Sequence, residues 1–408
     1  MSEVALRRPG AVAVVGVSLA ALAAGTFSIV GLGVLAPELK ADLGLSTAEV
    51  GFLTSLVFIG SMITSRRAGR LTDAVGPARV LGFSLAAAAA SLALAAVAPS
   101  TPLFMAGVLL MGLAYGGVNP PTNVVVAGRL GRRLGFFLSI KQSGVPVGGL
   151  LAGLVLPPIA IAYGWRWALV AAVCLLAAVA VSARLLRNAA VLDPAGDAGG
   201  RIHFPRRELL GMGVFGFVMS GTQWTFLTYL TLYLTGEPGF SLQLAGIALG
   251  LAQGLGAGGR LLWGWLSDHP GRRLPILVSV AGVSAVLLAL LASGLGEPML
   301  WLVIAATGLV LVGWNGAYHA LVADRAGPGR IGRASGEALV FIFGGSVVLP
   351  PLLGLLADST DSFAPLWGTT AGLVAVAGVT LWGSLRGTRL LAVAGGATRS
   401  GVSEPPAS

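Results

Sequence analysis

Two positive charges stand where a chain this apolar offers them no inexpensive place. Lys141 and Arg260 each fall within a long apolar stretch, and no Asp or Glu occupies the middle of any such stretch. Ionisable groups at that depth are costly and usually functional. Two cations without a resident acid favour an anionic ligand, whose own charge offsets theirs.

Position separates the two. Arg260 precedes Asp268 by eight residues, roughly 12 Å along a helix at 1.5 Å per residue. Helical side chains lean toward their own N-terminus, so Arg260 is expected to lean into the interior, away from the surface that holds Asp268. Lys141 is one of two lysines among 26 basic residues, a compact ammonium in a chain that otherwise uses guanidinium. About two turns into its helix, it can face a cavity or snorkel back to the nearer surface. Neutral groups to shape the rest of a site are Asn119 and Asn123 in the fourth stretch, Gln223, Trp224 and Tyr229 in the seventh, and Trp314, Asn315 and His319 in the tenth. Aromatic residues also serve as packing or interfacial anchors. Asn119 and Asn315 hold matching places in an internal repeat, which raises both above that background.

Other chemistry is absent. No Gly-rich loop ends in Gly-Lys-Ser/Thr, so ATP hydrolysis has no phosphate cradle. His203, His269, His319 and the single Cys174 are scattered, without ligand spacing, so no metal site is expected. Cys174 reads as small core filler. With no catalytic constellation, neither an enzyme nor a cofactor is expected.

These residues need elements to position them, and composition says which. At 55% hydrophobic and 10% charged over 408 residues, the chain has too little polar surface for a soluble globule. Twelve stretches near the ~20 residues of a helical span are centred at residues 22, 57, 88, 114, 147, 176, 223, 253, 285, 310, 345 and 375. A net charge of +10 would suggest nucleic acid if the basic residues formed one patch. They recur instead at every second connection, while the alternate connections carry only Lys40 and Arg166. The positive-inside rule then puts both termini and the central loop in the cytoplasm and argues against a nucleic-acid partner.

The expected fold is an all-α membrane protein of twelve transmembrane helices in two pseudo-symmetric six-helix bundles. The N-terminal bundle covers residues 1–187 and the C-terminal one 211–386. Between them the polar run 188–210, with Asp193, Pro194, Asp197 and Pro205, reads as a cytoplasmic linker, and 387–408 as a disordered cytoplasmic tail. A motif written twice supports the duplication. Gly69, Leu71, Asp73, Gly76 and Arg79 return as Gly264, Leu266, Asp268, Gly271 and Arg272–Arg273 at an offset of 195. Asn119, Asn123 and Arg129 are matched by Asn315, His319 and Arg325 at an offset of 196, and Gly144 and Trp167 by Gly344 and Trp367 at 200. Duplicated helix arrays are the architecture of secondary transporters, with the substrate between the halves. The fifth stretch carries the dense run Gly144-Val-Pro-Val-Gly148-Gly149; Pro146 should kink the helix, and the paired glycines Gly148 and Gly149 let it pack closely against a neighbour from the other half.

At these residues the chain resembles the major facilitator superfamily over nearly its whole length. The duplicated Gly-x-Leu-x-Asp-x-x-Gly turn resembles its signature loop, and Gly164-Trp165-Arg166-Trp167 is similar to its segment before helix six. The resemblance implies a cytoplasmic latch in which Asp73 meets the start of helix eleven and Asp268 the start of helix five, with Gly69, Gly76, Arg79, Gly264, Gly271 and Arg272 shaping the two loops. In the fifth-helix motif Val145 interrupts the usual Gly-Pro order, which weakens any carry-over of an antiporter role. Ile140 to Pro146 looks like the fifth helix of the cyanate-permease-type branch, and an arginine in helix eight is similar to oxalate–formate-type exchangers. Together these imply a monomeric secondary active or facilitative transporter of the bacterial inner membrane. It would move a small anionic solute by alternating access, with a proton or counter-substrate as the coupling species and import favoured. The alternative is an efflux pump for amphipathic drugs or metabolites, since one fold serves both.

Overall fold

The computed structural model describes residues 10–130, 134–186, 206–267, 271–326 and 331–397, and every regular element among them is helical. In the first half, α1 is Ala11–Val34, α2 Thr47–Val75 and α3 Pro77–Ala96. Next, α4 comes in two pieces, Thr101–Tyr115 and Asn119–Leu130, α5 in two pieces, Leu134–Gln142 and Gly144–Tyr163, and α6 is Trp165–Ser182. The second half repeats the order: α7 Arg206–Gly236, α8 Leu242–Ser267, α9 Arg273–Leu291, α10 in the pieces Glu297–Leu311 and Asn315–Ala326, α11 Ile331–Thr360 and α12 Ala364–Ala397.

Ten of these helices are long and apolar enough to cross a membrane. The other two, α7 and α8, have the length, at 31 and 26 residues. What lowers their hydropathy faces inward: Thr222, Gln223, Thr225, Thr228, Thr231 and Gln253 are all buried.

Two boundaries differ from expectation. Helix α7 begins at Arg206, inside the run assigned to the linker, because Glu208 in its first turn suits the positive helix N-terminus and is held by Arg325, Nη1 to Oε1 at 3.2 Å. Helix α12 continues to Ala397 through Leu390-Leu391-Ala392-Val393-Ala394, a run without Pro that has no reason to stop. Cys174 is exposed on the outside of the bundle rather than filling its core.

The repeated turn has one physical cause in both halves. Gly76 and Gly271 adopt φ of 92° and 82°, a region that costs every residue with a Cβ. The breaks in α4 and α10 also correspond, at Gly116–Val118 and Val312–Trp314. In α4, Pro120 and Pro121 cannot donate to Gly116 and Gly117; α10 makes the same break around Gly313 and Gly316 without Pro.

A short helix, Ala36–Leu43, lies beyond α1 at the end opposite the arginine-rich loops. Its Asp42 accepts from Arg166 Nη1 at 2.7 Å and Trp165 Nε1 at 3.0 Å, and the guanidinium stacks over the Trp165 ring at 4.2 Å. The Arg166 hydrogen bond first, and the Trp165 one second, hold the Asp42 carboxyl below its ordinary range.

The halves meet along α5 with α8, α2 with α11 and α1 with α7, and proline prepares three of the contacts. A proline cannot donate to the carbonyl four residues before it. Pro146 leaves the Gln142 oxygen to Arg260 of α8, 3.1 Å away. Pro157 leaves the Gly153 oxygen facing Gly246 of α8. Pro351 leaves the Val347 oxygen to the Ser55 hydroxyl of α2, at 2.5 Å. Each freed carbonyl points at the opposite half.

The glycines of α5 divide their work differently from expectation. Gly144 and Gly148 abut the α1 carbonyls of Leu19 and Ala23, within the same half, and only Gly149 and Gly153 face α8. Neighbouring residues cannot share a helix face. The break in α5 falls at Ser143, so Pro146 sits in the first turn of the second piece, where its missing N–H is tolerated.

Candidate substrate site between the halves

Lys141, in the last turn of the first piece of α5, is fully enclosed. Its ammonium donates to Asn123 Oδ1, to Asn119 Oδ1 at 3.3 Å and to Thr122 Oγ1 at 3.3 Å. The α4 break brings those three oxygens round one face of the second α4 piece, where i, i+3 and i+4 are neighbours. No carboxylate joins them among the described residues. The enclosed Lys141 ammonium therefore does not snorkel to the nearer surface.

Arg260 lies on the face of α8 turned to α5. Its Nη1 donates to Gln142 O and its Nε to Val312 O at 3.4 Å, so one guanidinium touches the breaks of α5 and α10 at once. Tyr115, at the end of the first α4 piece, stands within electrostatic reach of Arg260 and near Thr26 of α1. Its ring occupies the space that a Cβ on Gly25 would need, which is why residue 25 has none. His319 also lies within reach of Arg260.

The matched asparagine of the second half has a different partner. Asn315 Nδ2 donates to Gln223 Oε1 at 3.2 Å, and the same oxygen accepts from Trp314 Nε1 at 2.8 Å. Trp314 is fully enclosed against Phe215 and Tyr318, so it braces Gln223 rather than presenting its ring to a ligand. Trp224 packs edge-on against Phe58 of α2 with centroids 4.7 Å apart, and Phe58 meets Phe343 of α11 at 5.8 Å.

Tyr229 is elsewhere. It is buried at the end away from the arginine-rich loops, where its hydroxyl bonds Thr47 O at 3.0 Å and Pro350 O at 2.8 Å. The expected substrate contact is a seal instead, because α7 carries it about two turns beyond Gln223 into the α2–α11 contact. Asp358 of α11 completes the seal by accepting from the α2 amides Thr47 N at 2.9 Å and Ala48 N at 2.8 Å. Lys40 adds a bond to Thr47 Oγ1 at 2.8 Å.

At the other end, the first half of the expected latch, Asp73, is not engaged. Asp73 is exposed and makes no hydrogen bond or ion pair among the described residues, and a Cβ at Gly69, Gly264 or Gly336 would meet open space. Asp268 lies outside the described residues, as do the side chains at the start of α11. Arg79 and Arg272 are exposed. A carboxylate does clasp a helix N-terminus, but it is Asp358 on α2, at the opposite end.

Several participants were missed from sequence. Tyr115 and Thr26 carry no charge and no repeat echo. Gln253 sits in an ordinary Gly- and Leu-rich run, and Asp358 stands near a span end, where an acid draws no notice. A polar residue in an otherwise apolar span was the only signal available for Gln253.

With this geometry in place, comparison with known proteins decides the family. The sequence pattern of the Major Facilitator Superfamily matches residues 17–350. The chain belongs to that superfamily. Among relatives, an uncharacterised transporter of Mycobacterium tuberculosis is 30% identical, over 87% of this chain and 81% of its own. The gentisate transporter of Corynebacterium glutamicum is 29% identical over 86% and 83%, and the gallate transporter of Pseudomonas putida 29% over 72% and 74%. The fold also matches the solved nucleoside transporter NupG, with a TM-score of 0.75 at 16% identity over 91% of this chain and 100% of that one. As a member of the superfamily, this protein is a multi-pass membrane transporter and not an enzyme.

Proposed function

We propose that this transporter moves a small organic anion across a bacterial cytoplasmic membrane by alternating access, with Arg260 as the main anion-binding cation and Lys141 as the second. One observation carries the reading: Lys141 is enclosed and held only by neutral oxygens among the described residues. A buried charge left uncompensated is costly, and an anion arriving between the halves supplies the compensation. Relatives named for gentisate and gallate, both aromatic carboxylates, support the same class.

By the positive-inside rule the arginine-rich loops are cytoplasmic. The Asp358–Tyr229 seal is then external, and the enclosed cation site lies on its cytoplasmic side. Binding of the anion and rupture of the seal would exchange access from one side to the other.

Calorimetric titration of the purified protein with benzoate, and with benzamide as its neutral counterpart, tests the reading. Benzoate should bind and benzamide should not, and Arg260→Gln should weaken benzoate. Equal binding of the two, or unchanged affinity in Arg260→Gln, sinks the anion assignment and favours efflux of amphipathic compounds. External labelling of intact cells at Arg201→Cys in a Cys174-free background would overturn the orientation.

A further inference from the structure

Among the described residues, Gln253 is the buried side chain with two unpartnered polar atoms. It is 1% exposed, and neither its Nε2 nor its Oε1 has a partner. The hydroxyls of Ser18, Thr222 and Ser284 and the indole N–H of Trp367 are also unpartnered, but a hydroxyl rotor on a helix has a main-chain carbonyl within reach one turn back, and an indole offers a single donor and no acceptor. A buried carboxamide has no such local recourse, so its donors and acceptor stand idle.

Its placement is specific. Gln253 precedes Arg260 by seven residues, two turns or about 10 Å along α8. The face is the same one, since Gln253 lies against Gly149 and Arg260 against Gln142, seven residues apart on the antiparallel α5. A Cβ at residue 149 would overlap the amide of Gln253, so glycine there gives that side chain its room. At the Arg260 end, two of the five guanidinium N–H groups serve the carbonyls of Gln142 and Val312, which leaves donors for a carboxylate. Tyr115 lies within electrostatic reach of that guanidinium.

We infer that Gln253 is the specificity-determining residue of the anion site and selects an aromatic carboxylate that bears a ring hydroxyl. This rests on the anion reading above and deepens it. The carboxylate takes the free N–H groups of Arg260, the ring lies along α8, and the hydroxyl exchanges hydrogen bonds with the idle amide once the α5–α8 contact loosens to admit it. A site built to bond a substrate hydroxyl rejects the analogue that lacks it, because its own polar groups then stay unpaired.

The test is calorimetric titration of wild type and Gln253→Leu with 4-hydroxybenzoate, 3,4-dihydroxybenzoate and benzoate. Wild type should prefer at least one hydroxylated acid to benzoate by about tenfold, the worth of one such bond. Gln253→Leu should erase the preference by weakening the hydroxylated acid alone. Removing an unpaired buried amide should hold or raise the Tm, so loss of fold will not obscure the result. Persistence of the preference in Gln253→Leu, equal weakening of hydroxylated acid and benzoate, or no wild-type preference overturns the role of Gln253 and leaves the anion reading standing. Failure of wild type to bind any of the three acids overturns both.

Discussion

The Arg260 guanidinium donates to the main-chain carbonyl of Gln142, 3.1 Å away on the opposite half of the molecule. That carbonyl is free for it because Pro146, four residues on, has no N–H to offer. A cation within α8 is thus tied to the residue next to Lys141, and the two positive charges flank one break in one helix.

Pro146→Ala restores the missing donor and lets Gln142 bond within α5. The Arg260 contact across the halves should weaken, and the end sealed by Asp358 should open more often. Spin labels at Ser100→Cys and Ser293→Cys, both exposed at that end, measure the opening in a Cys174-free background as a longer distance population. An unchanged distance distribution would show that the freed carbonyl plays no part in joining the halves.

Asp358→Asn keeps the shape of the side chain but removes its charge and one of the two oxygens that serve Thr47 and Ala48. Loss of a helix cap is worth about 1 kcal/mol, so the sealed state should fall roughly fivefold relative to the open one by the same estimate. The same spin-label pair reads the shift. A sealed population equal to wild type would remove Asp358 from the gate.

For the cations, Arg260→Gln should weaken anion binding roughly tenfold or more, since a charge-assisted bond is worth about 1.5–3 kcal/mol. Arg260→Lys should recover only part of the loss, because an ammonium cannot reproduce the planar fork. Lys141→Gln should cost less, its three oxygen partners remaining to bond the amide, and the double variant should bind no anion measurably. Calorimetry on all four ranks the two sites, and a larger loss in Lys141→Gln would reverse their assignment.

Gly25→Ala places a methyl group in the space of the Tyr115 ring. Overpacking of this kind typically costs about 1–3 kcal/mol, and Tyr115 should be driven from Arg260, lowering both the Tm and anion affinity. Adding Tyr115→Ala should recover the Tm but not the affinity. If Gly25→Ala alone leaves both unchanged, Tyr115 is not held where the site needs it.

Asp73 is exposed in this conformation, so Asp73→Asn should leave the Tm and anion affinity near wild type while slowing transport, as a latch for the other conformation requires. Asp268→Asn should behave alike. Wild-type uptake into proteoliposomes by both variants would end the latch role.

Much of this was legible in the chain because its causes are local or compositional. An excess of apolar residues needs no partner to dictate membrane helices, and an offset of 195 to 200 residues declares a duplication without any contact being known. Gly76 and Gly271 have positive φ because of their own missing Cβ. The two interior cations were visible for the same reason, since charge in a span is conspicuous wherever it points. Tertiary structure alone decided their company. Residues 118 apart must meet before the Gln142 carbonyl has a use, and 311 must be bridged for Asp358 to cap α2. Tyr229 looked like Gln223 or Trp224 in sequence, and only the path of α7 past α2 and α11 made it a seal. Gln253 gave no sign of being unpaired, because satisfaction of a side chain is a property of its neighbours and they come from another helix in the other half.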